Sequence, residues 1–340
     1  MKRVLSTIIA VLPALALFCS CEKEIEFKGD FDGEKLVLYT TANTESEMYA
    51  ILSHSRFIIG SRPQGTGDDS VSGADVTAEI NGRTIKMTDD GSGVYLSGYT
   101  PEPGDVITVK ANKKGYAPVS ATTVVPQKAA FSVDNVEISV DNEYATMSYS
   151  VKIWKVKFRF TINDPAGEQN YYRIRTFYRN GEYINEGYAL TKDILYYNTS
   201  GLEGEIDAIE NAINGDTEIY IPEYLDDSVI DGQIHTTEAW FTVCHSVEAD
   251  DYWDRKEDGE GEDVEPEIPE VEPLGPEDVW IEIDAISPDL YKYCVSLDMY
   301  RSTQSGLGSF FGEAVSIHNN VAGGIGCVGS VTPGIIFLHE

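Results

Sequence analysis

Residues 74–80 alternate: Ala74, Val76, Ala78 and Ile80 are apolar, while Asp75, Thr77 and Glu79 are polar. A period of two puts the apolar set on one face of a strand and the polar set on the other. Asn81-Gly82 follows at once, and both residues tolerate positive φ, so the pair predicts a tight hairpin turn. Ile85 and Met87 carry the pattern back along a return strand. Upstream, residues 35–41 and 47–54 read as strands around the polar turn Asn43-Thr44-Glu45, and a Gly/Ser/Asp-rich loop covers residues 60–73. Downstream, Asp89-Asp90-Gly91-Ser92-Gly93 and Pro101-Glu102-Pro103-Gly104 punctuate strands at 94–99, 105–111 and 119–125, the last ending at Pro126. Short strands with a turn every eight to twelve residues predict an antiparallel sandwich over residues 30–127.

The second half keeps the strand period but breaks its phase. After a strand at 131–140, Met147, Tyr149, Val151 and Ile153 are in register, and Trp154, Val156, Phe158 and Phe160 lie one residue out of it. A shift of one residue sends side chains to the opposite face, so a bulge or strand switch is expected near Ile153-Trp154. Residues 171–178 and 183–190 flank Asn180-Gly181 as a hairpin, and 234–244 and 279–286 read as further strands. Two short helices are expected. Ile206, Ile209 and Ile213 precede Gly215 at helical spacing; Ser287-Pro288-Asp289 offers a capping hydroxyl, a first-turn proline and an acid, with Leu290, Cys294 and Leu297 on one face. Residues 248–278 are crowded with acids against Arg255 and Lys256 and carry Pro266, Pro269, Pro273 and Pro276, the composition of a disordered insertion. The last forty residues read as glycine-punctuated strands. The expected fold is mainly β: two antiparallel β-sandwich domains of immunoglobulin-like or transthyretin-like type, over residues 30–127 and 128–340. The order strand, hairpin, Gly91-Ser92-Gly93-Val94-Tyr95, Pro103-Gly104-Asp105, strand also resembles the carboxypeptidase-regulatory sandwiches.

The amino terminus changes the picture from architecture to location. Lys2 and Arg3 precede an almost wholly apolar run over residues 4–18, too short to span a bilayer as a helix but suited to a signal peptide. The run ends in Phe18-Cys19-Ser20-Cys21, where small Ser20 directly before Cys21 resembles a bacterial lipobox. Cys19 has bulky Phe18 in that position. Residues 1–20 are therefore expected to be removed and Cys21 to be lipidated, anchoring the chain to a membrane; two or three acyl chains suffice for stable attachment. Glu22-Lys23-Glu24-Ile25-Glu26 opens an acidic tether over residues 21–29 and resembles a surface-export signal of Bacteroidota lipoproteins.

Charge narrows the partners. The 340-residue chain has 57 acidic and 25 basic residues, a net charge of −32. That sign disfavours nucleic acid and anionic headgroups. Cys244, Cys294 and Cys327 are odd in number and form no C-x-x-C, so buried thiols are expected, with room for one disulfide.

No constellation for catalysis or metal binding emerges. Gly324-Ile325-Gly326-Cys327-Val328-Gly329 matches G-x-G-x-x-G, yet Ser330-Val331-Thr332-Pro333 follows where a dinucleotide fold needs a helix. His54, His235, His245, His318 and His339 have no metal-ligand spacing. No cofactor is expected. The one surface worth naming is aromatic: Tyr171, Tyr172, Tyr178, Tyr183 and Tyr188, with Tyr196 and Tyr197, crowd one region as a candidate ligand or partner surface, although tyrosine is also a favoured strand residue.

Residues 286–293 (Ile-Ser-Pro-Asp-Leu-Tyr-Lys-Tyr) and 311–326 (from Phe311-Gly312-Glu313 through His318-Asn319-Asn320 to Gly323-Gly324-Ile325-Gly326) resemble the closing signature of the domain-of-unknown-function family 4249. Asn170-Tyr171-Tyr172 and Asp226-Asp227-Ser228-Val229-Ile230-Asp231-Gly232 resemble it too. The resemblance implies a Bacteroidota envelope lipoprotein, commonly encoded beside a TonB-dependent outer-membrane receptor, with no catalytic residues to transfer. The expected role is thus non-catalytic: a lipid-anchored outer-membrane protein, facing the cell exterior, that serves as a binding or accessory component of TonB-dependent uptake. The alternative is a structural or adhesive surface lipoprotein unconnected with transport.

Overall fold

The alternating segments become strands whose apolar faces converge on three cores. The computed structural model describes residues 33–55, 69–145, 149–178, 182–184, 187–189, 219–220, 224–228, 230–248, 273–303 and 315–337. Among the described residues are 19 strands and one α-helix, so the protein is mainly β. None of the described helices is long and apolar enough to cross a membrane. Cys21 and the helix expected near Ile206 lie outside the described residues.

The first eight strands are β1 (Leu36–Asn43), β2 (Tyr49–His54), β3 (Asp75–Ile80), β4 (Arg83–Lys86), β5 (Thr88–Asp89), β6 (Val94–Leu96), β7 (Val106–Asn112) and β8 (Val119–Val124). The expected hairpin joins β3 to β4, with Asn81 at φ 49° and Gly82 at φ 84°. Strands β4, β3, β7 and β8 pair in that order as a four-stranded antiparallel sheet. Its inward residues Val76, Ala78, Ile80, Ile107 and Val109 share one core with Leu36, Leu38 and Ala42 of β1 and Ala50 and Leu52 of β2.

Next come β9 (Ala130–Ala145), β10 (Tyr149–Asn163), β11 (Tyr171–Tyr178), β12 (Glu182–Ile184), β13 (Gly187–Ala189), β14 (Ile219–Tyr220), β15 (Tyr224–Asp226) and β16 (Ile234–Glu248). A register shift does fall at Ile153/Trp154, but its extra residue is Asp141 of β9, and β10 itself pairs without interruption with β16. β14, β13, β16, β10 and β9 make a five-stranded sheet. Trp154, Val156, Phe158, Phe160 and Ile162 of β10 point from it into a second core.

Strands β17 (Val279–Ile286), β18 (Ile325–Thr332) and β19 (Ile335–Phe337) and helix α1 (Pro288–Thr303) complete the fold. Here strands from the two expected domains come together. A ten-stranded sheet runs in the order β12-β11-β17-β18-β1-β2-β6-β5, with β15 on β11 and β19 on β17, so strands from both expected domains share it. β18 lies beside β1 in parallel, Leu38 opposite Gly326 and Thr40 opposite Val328, in place of the expected all-antiparallel pairing. The described residues from Lys35 onward fall in one compact unit. By strand alternation, Val328 of β18 and Ile281 and Ile283 of β17 face the two smaller sheets. Cys327, Val331 and Ile286 point to the opposite face and pack under Leu290 and Tyr291 of α1.

Two local expectations need correction. Ser287 does stand before α1, but its Oγ accepts the Ser330 N–H of β18 at 3.0 Å, tying the helix start to the sheet. The acidic insertion is shorter than expected at its carboxyl end: Leu274 is buried in the second core, and Gly275 N–H donates to Asp278 in a short 3-10 turn. Of residues 248–278, only 249–272 lie outside the described residues.

Candidate functional site

Neighbouring residues on a strand point to opposite faces, and this rule divides the tyrosine cluster. Tyr172 faces the second core, only 2 % exposed, with its hydroxyl donating to Asp164 Oδ1. Burial, then that carboxylate, push its pKa far above the usual phenol range. Tyr171 faces α1, where its ring lies 4.6 Å from that of Tyr291. Both are buried, so neither offers a face to a ligand. Tyr178 and Tyr183 fall on β11 and β12 of the large sheet and Tyr188 on β13 of the five-stranded one; their side chains lie outside the described residues. The single aromatic platform expected from sequence is not assembled by Tyr171 and Tyr172.

What β11 carries on the helix side of the large sheet is charge. Arg173, Arg175 and Phe177 pair in register with Asp284, Glu282 and Trp280 of β17. Arg173 Nε and Nη2 both donate to Asp284 Oδ2, and Arg175 Nη2 donates to Glu282 at 2.7 Å and to Asp284 at 3.3 Å. Asp284 is wholly buried, and its Oδ1, like Arg175 Nε, has no hydrogen-bond partner among the described residues. Burial would lower the Arg173 pKa, but the Asp284 charge outweighs it and holds the guanidinium above its ordinary value. Burial and the neighbouring Asp284 raise Glu282. Beyond the ions, the Phe177 and Trp280 rings stack at 5.6 Å and 12°, and the Arg175 guanidinium lies 5.3 Å from the Phe177 ring.

The same face holds a groove beside α1. It encloses about 580 Å³ and is lined by Tyr291, Lys292, Val295, Met299, Ile317 and His318 among others. His318 Nε2 lies 2.8 Å from Asp289 Oδ1, and the His318 main-chain N–H donates to Ser296 Oγ at 2.8 Å. Serine, histidine and aspartate thus meet, but not as a nucleophile and its base. The Ser296 hydroxyl donates to the Tyr293 carbonyl and accepts from the His318 main chain, whereas a triad needs the imidazole on the hydroxyl. These bonds clamp residues 315–319 to the helix. The sequence pattern missed the pair because 29 residues separate its members.

A third cluster joins two loops. Asp164, Asp227 and Asp231 bring one carboxylate oxygen each within 4.8 Å of one another. Asp164 and Asp227 are buried. Main-chain N–H groups of Gly232, Asn170 and Gly167 donate to Asp164, Asp227 and Asp231 respectively. A hard divalent cation takes oxygen ligands of this kind.

A family model described as domain of unknown function (DUF4249) matches residues 22–334. The chain belongs to that family. No curated protein and no solved structure matches. Two segments that carry this family resemblance meet at the carboxylate cluster, which Asp164 completes: Asp227 N–H donates to the Asn170 carbonyl, and Tyr171 pairs with Asp226. The Gly323-Gly324-Ile325-Gly326 run serves backbone approach. A Cβ on Gly324 or Gly326 would collide with the carbonyl oxygens of Leu36 and Leu38 on β1.

The thiols Cys244, Cys294 and Cys327 are all free, as expected, and Cys327 is buried, but Cys294 is half-buried and Cys244 is exposed. Burial pushes the Cys327 thiol up to about 12, so it is a packing group and not a nucleophile.

The carboxylate cluster gives a pH prediction. Burial first, and then Asp164 and Asp231, raise the Asp227 pKa in the folded chain. An acid raised on folding destabilises the fold above that raised value and ceases to do so as pH falls below its ordinary range. Asp227→Asn keeps an acceptor for the Asn170 N–H and removes the charge. Its melting temperature at pH 7 should exceed the wild type's by about 2 °C, with the gap closing as pH falls toward 4. A lower melting temperature at pH 7 would show that the charge is held by something other than its acidic neighbours.

Proposed function

We propose that the mature chain is a lipid-anchored outer-membrane protein, exposed at the cell surface, that binds rather than transforms its ligand and serves a TonB-dependent receptor as an accessory component. The observation that carries this reading is the leader, a basic pair and an apolar run ending at Ser20-Cys21. The family match starts at Glu22, one residue past the expected lipidated cysteine, and so leaves the leader out. We read the paired sheets as two sandwiches of immunoglobulin or transthyretin type fused through the long sheet. Binding rather than catalysis is supported by the groove beside α1, where Ser296 and His318 are bonded for structure.

Two measurements test the reading. Cells fed a radioactive fatty acid should label the wild type and Cys19→Ala but not Cys21→Ala; label retained in Cys21→Ala would remove the anchor. Purification of the anchored protein from outer membranes in mild detergent should co-isolate one TonB-dependent receptor, and protease added to intact cells should reach the chain. Surface exposure without a receptor would favour the adhesive role, and a periplasmic face would remove both.

A further inference from the structure

Strand β9 is the outermost strand of the five-stranded sheet and is 16 residues long. Among the described residues it pairs with β10 alone, so along its other side its main-chain donors and acceptors face outward. Proteins protect such edges with bulges and charges, because an open edge templates another strand. β9 has these guards only at intervals. Asn135, at φ 53°, sits in the register shift opposite Lys157/Arg159, and Asp141 sits in the shift opposite Ile153/Trp154. Val136 shares the first shift with Asn135, and between the two shifts Glu137–Val140 is a regular run.

That run is unfinished on its apolar side. Val136 and Ile138 face the second core but remain half-buried, and Val140 is 52 % exposed. A strand added beside them would cover them, provided its inward residues are apolar. On the outward side, exposed Glu137 lies opposite Lys157, and Asp134 lies 3.5 Å from Arg159. The cations of β10 thus flank the acids of β9 on one side only. A second copy of β9 would set acid against acid, which destabilises a cross-strand pair, whereas basic residues would place each acid between two cations.

We propose that the edge of β9 at Glu137–Val140 takes an extended polypeptide segment of a partner, alternating apolar and basic residues, as an added strand. Main-chain hydrogen bonds supply the affinity, and the alternation selects the segment. The proposal requires neither the lipid anchor nor a receptor.

The test uses the full mature chain in mild detergent and two fluorescent six-residue peptides, one alternating valine with lysine and one valine with glutamate. The lysine peptide should bind and, at tenfold excess over its Kd, slow amide exchange at Glu137–Val140 about tenfold. The glutamate peptide should do neither. Glu137→Lys should weaken the lysine peptide about threefold or more, with Glu137→Gln intermediate, since one cross-strand charge changes sign. Because exchange is read residue by residue, binding elsewhere on this acidic protein is distinguished from binding at the edge. No binding, binding without protection of β9, or equal protection by both peptides overturns the proposal.

Discussion

Gly326→Ala is expected to cost more than about 4 kcal/mol and to leave little folded protein. Gly326 sits at φ +131°, a region closed to most L-residues, directly opposite Leu38 in the parallel pairing of β18 with β1. A methyl group there would enter the Leu38 carbonyl oxygen, which is main chain and cannot rotate aside. β18 joins the two ends of the large sheet, so displacing it opens the first core at Val328 and frees the floor under α1 at Cys327. Gly115→Ala is the comparison: φ is +98° but nothing lies within 4 Å of the new Cβ. It should lose only about 1 kcal/mol, the cost of the backbone conformation alone. Urea denaturation of both variants separates clash from strain. Equal losses would mean that the close approach to Leu38 is not what holds β18 in place.

The second large effect is expected at the buried ion ladder. Asp284→Ala removes the acceptor shared by Arg173 and Arg175 and leaves two guanidinium groups facing Glu282 alone. Removing one partner of a buried pair costs about 3–5 kcal/mol, because the remaining charge stays desolvated and unpaired. For a chain of this size the melting temperature should fall by about 4–7 °C. Replacing both partners, Arg173→Met with Asp284→Leu, should recover most of that loss, since apolar side chains of similar volume need no solvation. A double variant no more stable than Asp284→Ala would show that the ladder contributes through its hydrogen-bond geometry and not by mutual neutralisation.

Both positions lie in segments where the family resemblance or the strand pattern was visible, yet their roles were not. The glycine run suggested a dinucleotide loop only by its spacing, and Ser330-Val331-Thr332-Pro333, standing where a helix is needed, argued against that. Arg173, Arg175, Glu282 and Asp284 alternate with apolar residues, and alternation marks them only as the outward set of two strands. That this outward face is partly covered depends on α1 and on register across 111 residues. The tyrosine surface could have been doubted from sequence alone, because adjacent Tyr171 and Tyr172 must face opposite ways on a strand.

Local order along this chain was set by short-range rules. Val76, Ala78 and Ile80 alternate and so make β3; Asn81-Gly82 tolerates positive φ and so turns it; Pro288 and Asp289 favour a first helical turn and so start α1. The apolar phase break at Ile153-Trp154 pointed to a bulge there, and a register shift falls at that place, with its extra residue on the neighbouring β9. Each of these rests on backbone sterics and on burial of one face, both of which act within a few residues. Tertiary structure alone decided which strands became neighbours. β1 pairs with β18 from the far end of the chain, Leu274 returns from an acidic segment to the second core, and His318 meets Asp289 across the groove. The physical reason is that alternation states only that a face must be covered. Which face covers it depends on the total apolar area buried and the close approach that glycines permit, while loop-closure entropy, growing only with the logarithm of length, leaves distant pairings open.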